Sequence, residues 1–507
     1  MLTNIIDLFE NNAFKKYPDK IAYKDVNYEV TFNDIYDKSR CIASYILDTK
    51  NIKNKPIIVL LEKGVYNLLV FHGITYSGNI YVPIDVTQPK ERIKNIISVL
   101  SPELAVVNEN TKEKIIDILD KDKIIYIEDC LSYYIDENKL LNVKQNIIST
   151  DPLYIIFTSG STGAPKGVVI NHQSVIDYII WVEETYKINE MDIIGNQAPF
   201  YFDNSVLDIY TTLYTGCMLY LMQEKNFAFP AKILKEIEEN RVTSIFWVPS
   251  VLITIANSML LEKYEYKGLN KILFAGEVMP NKQLNIWRKN LPNALYSNLY
   301  GPTEITVDCL YYIVDREFSD DEPLPIGIPC NNTDVIILNE ANELVEQGEV
   351  GEICVRGISL SMGYYNNLDR TKEVFVQNPL NQHYPELIYR TGDLGYYNVY
   401  KEVIYVGRKD FQIKHNGYRI ELGEIETAVF SVEEMENVCV LYNNNEKEIT
   451  LFYTSKSELN IKYIRERLLT KIPKYALPTK VYYLKEMPLT SNGKIDRQLL
   501  KKEYIGD

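Results

Sequence analysis

The chain runs to 507 residues, 46% hydrophobic and 24% charged, with a formal net charge of −15. That length calls for at least two domains, and the acidic balance argues against non-specific nucleic-acid binding. The seven cysteines stand singly without a CxxC pair, Met1-Leu2-Thr3-Asn4-Ile5-Ile6-Asp7 lacks the regions of a signal peptide, and no apolar run reaches membrane-spanning length. The expectation is a cytoplasmic protein with reduced thiols, no zinc site and no membrane partner.

In chain order, the first 310 residues or so alternate short β-rich runs (57–61, 104–107, 124–127, 244–248, 271–275) with longer amphipathic stretches such as 231–240 and 281–290. Alternation of this kind predicts α/β architecture, with parallel sheets covered by helices. From 324 to 408 short strands separated by Gly, Asn and Pro predict a β-rich subdomain. Residues 411–507 carry 15 Lys and Arg against 14 Asp and Glu, a net of +1 that leaves −16 for the first 410. The last hundred residues therefore form a compositionally distinct unit.

The densest chemical signal is 157–167, Phe-Thr-Ser-Gly-Ser-Thr-Gly-Ala-Pro-Lys-Gly. Thr158, Ser159, Ser161 and Thr162 alternate with Gly160 and Gly163, and Lys166 follows. Glycines let the backbone approach an anion, the hydroxyls and N–H groups donate, and the lysine adds a point charge. The buried-strand pattern of 153–157 precedes the loop, the layout of a phosphate site, although the Gly-Lys-Ser/Thr of a P-loop is absent. A mere surface turn would need neither the strand nor the lysine. Four further clusters follow: 298–304 (Asn-Leu-Tyr-Gly-Pro-Thr-Glu), 389–394 (Tyr-Arg-Thr-Gly-Asp-Leu), 407–421 and 490–497. Singly, each reads as a turn, a cap or a solvated lysine. Together they supply two acids, several hydroxyls and two lysines, a set suited to a nucleoside triphosphate and Mg²⁺.

The ordered set of phosphate loop, NLYGPTE, GEICVRG, YRTGDL, GRKDFQIKHNGYRIELGEIE and NGKIDR resembles the amino-acid adenylation domains of the acyl-adenylate-forming superfamily, which also holds acyl-CoA synthetases and luciferases. The likeness runs from about residue 10 to 500. In style the chain is similar to free-standing members that load a separate carrier protein, such as the D-alanine–carrier and proline–carrier ligases. No Leu-Gly-Gly-x-Ser of a carrier domain follows the last motif, so the carrier, with its phosphopantetheine arm, is expected on another chain. The resemblance implies a large domain (1–409) of two α/β sheet subdomains plus a β-barrel, and a small, mobile α+β domain (410–507) hinged near Asp410.

It also implies roles. Lys494 bridges the substrate carboxylate and the adenylate oxygens. Thr158, Ser159, Thr162 and Lys166, with Gly160, Ser161 and Gly163 between them, hold the pyrophosphate side of ATP. Thr303 contacts the α-phosphate and Glu304 holds Mg²⁺. Asp393 binds the ribose hydroxyls with Arg408 assisting, Tyr300 stacks on adenine, and Asn298 reads its amino group. Gly417 lines the phosphopantetheine tunnel in the thioester step.

The stretch 199–208 matches the family's substrate-lining segment. Asp203 stands where α-amino-acid users carry the acid that pairs with the substrate ammonium. An acid in an aromatic run is costly to bury without a cation. The carried-over pocket is Asp203, Asn204, Leu207, Trp247, Leu273, Ala275, Leu299, Val307, Asp308 and Lys494. Trp247 is expected to shorten it and the leucines and valine to make it apolar, which favours a small aliphatic side chain. The lining is similar to that of free-standing proline-activating members. Asn204 replaces an apolar residue there, and Asp308 replaces the usual Cys and resembles serine-activating pockets, where an acid accepts a hydroxyl. The ranking is L-proline first, then alanine (D or L) or serine. An acyl- or aryl-CoA ligase is a further alternative that Asp203 speaks against. A non-catalytic scaffold is opposed by intact Lys166, Glu304, Asp393 and Lys494.

Overall fold

The structure, a computed structural model, describes residues 2–159, 165–409, 412–432, 434–443, 446–489 and 495–506. The chain condenses into two compact units: residues 1–85, 100–156 and 167–409 form the first, and 86–99, 157–166 and 410–507 the second. Two short segments from the N-terminal half, 86–99 and 157–166, thus group with the last hundred residues.

Among the described residues a nine-stranded sheet runs in the order Ile328–Pro329, Leu310–Ile313, Leu295–Tyr300, Lys271–Ala275, Ser244–Trp247, Ile193–Asn196, Met218–Leu221, Ile21–Lys24 and Glu29–Thr31. Its central strands pair in parallel, and Ser244–Trp247 is buried along its whole length. Continuous apolar runs are what a parallel strand covered on both faces requires. Both edges finish antiparallel, Leu310–Ile313 and Ile328–Pro329 on one side and Glu29–Thr31 on the other. The parallel centre is as expected; at Glu29–Thr31 the strand returns after a short connection, without a crossover, and so reverses direction.

A second, six-stranded sheet orders Ile124–Tyr126, Leu104–Val107, Pro56–Val59, Ile80–Pro83, Pro152–Thr158 and Lys166–Asn171. The β-rich stretch forms an antiparallel sheet of Thr333–Leu338, Gly351–Gly357, Leu387–Tyr397 and Phe375–Gln377, with Val403–Arg408 paired to Leu387–Tyr397. The last hundred residues hold the hairpin Gln412–His415/Tyr418–Glu421 and a three-stranded sheet, Met435–Asn443, Glu448–Ser455 and Lys480–Tyr483.

Several apolar cores follow from this layout among the described residues, three of them large. The largest gathers Trp181, Tyr154, Tyr210 and the strand interiors around them. A second packs Trp247, Phe274 and Trp287. The third, around Ile425, Val440, Leu451 and Tyr453, belongs to the last hundred residues. All seven cysteines are buried free thiols. Among the described residues no helix is long and apolar enough to cross a membrane.

Candidate active site

The turn after the strand Leu295–Tyr300 carries much of the polar chemistry of the first unit. At Gly301 a Cβ would lie 2.2 Å from the Val307 carbonyl oxygen, so only glycine lets residues 306–307 fold back this closely. Thr306 and Val307 sit at φ +58° and +70°, a region β-branched residues avoid and one found where structure enforces it. The result is a short helical turn, Thr303–Ile305, with Thr303 and Glu304 buried. Glu304 Oε1 accepts the Tyr364 hydroxyl at 2.7 Å. Asp308, also buried, accepts the Tyr178 hydroxyl at 2.7 Å. Burial and the Asp308 charge push the Tyr178 phenol well above its ordinary range, so it stays a donor.

Asp393 is 1% exposed. It pairs in register with Arg408, whose Nη1 donates to Oδ1 at 2.9 Å. Tyr300 donates its hydroxyl to Oδ2 at 2.5 Å. Burial first, and then the Asp393 charge, raise the Tyr300 phenol well above 10 and keep its proton in place. Asn298 donates Nδ2 to the Pro325 carbonyl at 2.8 Å. That bond fixes the amide so that its oxygen is the acceptor, the group an exocyclic amine needs.

In the second unit, Thr158 Oγ1 is buried and has no hydrogen-bond partner among the described residues. Ser159 Oγ donates to the Arg419 carbonyl at 2.9 Å. Lys166 opens the strand Lys166–Asn171 rather than standing on the loop. It is buried with its Nζ 3.7 Å from Glu421 Oε1. Gly417, at φ +80° beside Asn416 at φ +51°, makes the two-residue turn between Gln412–His415 and Tyr418–Glu421. An Asn-Gly pair at positive φ is the preferred I′ hairpin turn, which accounts for the glycine by itself. Gly160, Ser161, Thr162, Gly163, Asp410 and Lys494 lie outside the described residues.

In the first unit, a buried carboxylate held by a cation suits ribose hydroxyls, and Glu304 offers the hard oxygen Mg²⁺ prefers. In the second unit, taken by itself, the orphaned buried hydroxyl of Thr158 suits a phosphate oxygen.

Asp203 heads the helix Asn204–Thr215, so Asp203, Asn204 and Leu207 fall on one face at three- and four-residue spacing. Leu207, Leu273, Ala275, Leu299 and Val307 share one apolar core. Asn204 Nδ2 is buried without a partner among the described residues. Trp247 does not join them. It pairs in register with Phe274 and packs against the Phe227 ring in the other core, its indole N–H donating to the Gly195 carbonyl at 2.7 Å. Bridge partners share a sheet face, whereas Leu273 and Ala275 flank Phe274 and point the opposite way. The expectation that Trp247 shortens the pocket is therefore corrected.

Three tyrosines were missed from the sequence: Tyr178, Tyr364 and Tyr154. The Tyr154 hydroxyl is fully buried and has no hydrogen-bond partner among the described residues; burial first, and then the Asp203 charge, push its phenol well above the ordinary range. Tyr364 sits seven residues beyond the quoted GEICVRG, so only its place in the run Gly363-Tyr364-Tyr365 could have marked it.

Comparison with known proteins places this mixed α/β chain among AMP-binding enzymes, a class that uses ATP with Mg²⁺. The family model "AMP-binding enzyme" matches residues 9–365, and "AMP-binding enzyme C-terminal domain" matches 424–494. One component of the mycosubtilin synthase of Bacillus subtilis is 33% identical over 98% of this chain, which spans about a fifth (19%) of that relative's length. The D-alanine–D-alanyl carrier protein ligase of Listeria monocytogenes is 33% identical, with 99% of each chain covered. An artificially fused adenylation–PCP di-domain from Klebsiella oxytoca, NpsA-ThdA, shares the fold at a TM-score of 0.82 and 20% identity, covering 95% of this chain and 94% of its own. The chain belongs to the AMP-binding enzyme family.

Proposed function

We propose that this protein is a cytoplasmic ligase that activates a small amino acid, L-proline first, as the aminoacyl-AMP with release of pyrophosphate. It then passes the acyl group to the phosphopantetheine thiol of a separate carrier protein. The observation that carries the reading is Asp203, at the head of a helix whose Leu207 lies in an apolar core with Leu273, Ala275, Leu299 and Val307. A half-buried acid beside that core can pair with an α-ammonium, a group that a fatty or aryl acid does not carry. Relatives named D-alanine–D-alanyl carrier protein ligase support carrier loading.

ATP, with Mg²⁺ held at Glu304, supplies the adenylyl group. Thr158, Ser159, Thr162 and Lys166 neutralise the departing pyrophosphate, Thr303 orients the α-phosphate, and Lys494 draws the substrate carboxylate onto it. The chemistry is mostly alignment and charge neutralisation. Asp393 and Arg408 take the ribose, while Asn298 and Tyr300 serve the adenine side. We place the domain boundary at 409/410, with Asp410 as hinge and Gly417 in the second step.

One observation favours a second substrate. The buried Asp308 carboxylate, steadied by Tyr178, is an acceptor that proline cannot use and a serine hydroxyl can. Amino-acid-dependent ATP–pyrophosphate exchange, run over the proteinogenic amino acids plus D-alanine, decides between them. Proline is expected to exchange fastest, and serine or alanine doing equally well overturns the ranking. Lys494→Ala is expected to abolish the exchange; intact exchange would remove Lys494 from the adenylation step. Efficient transfer to free CoA would instead revive the CoA-ligase alternative.

A further inference from the structure

The segment 359–365 ties two parts of the first unit together by its backbone. Val169 N–H donates to the Gly363 carbonyl at 3.0 Å, Met362 N–H to the Val169 carbonyl at 2.9 Å, and Tyr365 N–H to the Gly167 carbonyl at 2.8 Å. This stitches the segment to the strand that follows the phosphate loop in sequence. On its other side Ser361 N–H donates to the Glu304 carbonyl at 2.9 Å, and Thr306 Oγ1 donates to the Ser359 carbonyl at 2.9 Å. Tyr364 is itself pinned: its N–H donates to Thr371 Oγ1 at 2.9 Å, and its ring meets Phe375 edge-on at 6.4 Å between centroids. From that anchorage its hydroxyl reaches Glu304 Oε1 at 2.7 Å, with both side chains buried.

We propose that Tyr364 is a positioning residue that sets the direction of the Glu304 carboxylate for Mg²⁺, and that segment 359–365 is the brace that carries it. The inference rests on the reading of Glu304 as the Mg²⁺ ligand. A carboxylate turns readily about its last bond, and a metal ligand must be held within about 0.5 Å of its working place. Hydrogen bonds from outer partners supply that hold, and their loss typically costs 10–100-fold in metal affinity or activity. Here the carboxylate stands on a turn already forced into left-handed backbone at Thr306 and Val307. The hydroxyl from 60 residues away fixes what the turn leaves rotatable.

The test compares the full-length wild type, Tyr364→Phe and Glu304→Gln by calorimetric titration with a non-hydrolysable ATP analogue, with Mg²⁺ and with EDTA. Exchange as a function of free Mg²⁺ and thermal melts accompany it. Phe keeps the ring and its packing, so Tyr364→Phe is expected to melt near wild type. It is also expected to bind the analogue normally in EDTA, lose roughly tenfold of the Mg²⁺-dependent gain in affinity, and recover exchange at high Mg²⁺. Its KM for the amino acid is expected to stay unchanged. A Tyr364→Phe protein that keeps the full Mg²⁺-dependent gain, while Glu304→Gln loses it, overturns the inference. If Glu304→Gln also keeps it, the reading of Glu304 fails first. Should Tyr364→Phe melt early, para-aminophenylalanine placed at position 364, whose aniline N–H stands where the hydroxyl stood, restores the Mg²⁺ response if the inference holds; a response as poor as that of Phe overturns it.

Discussion

At the scale of single residues, Asp393 concentrates the nucleotide argument. Its carboxylate is buried between the Arg408 guanidinium and the Tyr300 hydroxyl, so its charge is compensated and its direction fixed before any ligand arrives. Asp393→Asn keeps the shape and removes one acceptor from the proposed ribose contact. The expected outcome is a KM for ATP raised about tenfold or more, equivalent to about 1.4 kcal/mol, with the amino-acid KM within about twofold of wild type. Steady-state exchange kinetics check this, and equal rises in both constants would mean a general loss of order instead. Asp393 and Arg408 stood out as candidates because each lies in a short polar motif, and the structure pairs them. The partners of Glu304 and Asp308 did not stand out. Tyr364 and Tyr178 lie 60 and 130 residues from the acids they hold, and nothing in a local pattern encodes which buried hydroxyl meets which buried acid.

Elements show the same division. The strands Lys271–Ala275 and Leu104–Val107 and the helix Asn281–Asn290 follow directly from periodicity, because burial on both faces or one is written into the run. Which face Trp247 takes was not legible, since a register pairing with Phe274 decides it. Element packing also sets a pH dependence. His172 opens the helix His172–Tyr186 and its Nδ1 accepts the Ile5 N–H at 3.3 Å. Burial pushes its pKa down to about 4, below the 6.5 or so of an unfolded histidine. Between those values the unfolded chain holds a proton that the folded one does not, so stability rises with pH across this window. It is fully present above about 6.5 and is lost on acidification towards 4, at up to about 1.4 kcal/mol per pH unit. His72, pushed down to about 3 by its burial in the helix Val65–Tyr76, adds in the same direction. Urea unfolding at pH 7 and pH 5 is expected to show the loss. His172→Gln, which retains an acceptor for Ile5, is expected to shrink it by up to one proton's worth, and an unchanged slope would clear His172 of the effect.

For the whole molecule, composition marked the last hundred residues as distinct, and among the described residues they hold an apolar core of their own around Ile425, Val440 and Leu451. The grouping of 86–99 and 157–166 with them was not legible, because no local pattern in either segment encodes which distant part of the chain it meets. Substrate choice is the question left to the intact protein, and ligand linkage answers it without turnover. A molecule that binds only the folded chain stabilises it by RT ln(1 + [L]/Kd), about 2.7 kcal/mol at a hundredfold excess over Kd. Aminoacyl sulfamoyl-adenosines are non-reactive mimics of the aminoacyl-adenylate and occupy nucleotide and amino-acid positions together. The prolyl analogue is expected to raise the melting temperature most, the seryl and alanyl analogues less, and the analogue lacking the α-ammonium least. Asp203→Asn should erase the advantage that the ammonium confers while leaving the shift from adenosine binding in place. Equal shifts for the prolyl and seryl analogues would transfer the preference to Asp308 and a hydroxylated substrate. An undiminished ammonium advantage in Asp203→Asn would remove Asp203 from the site.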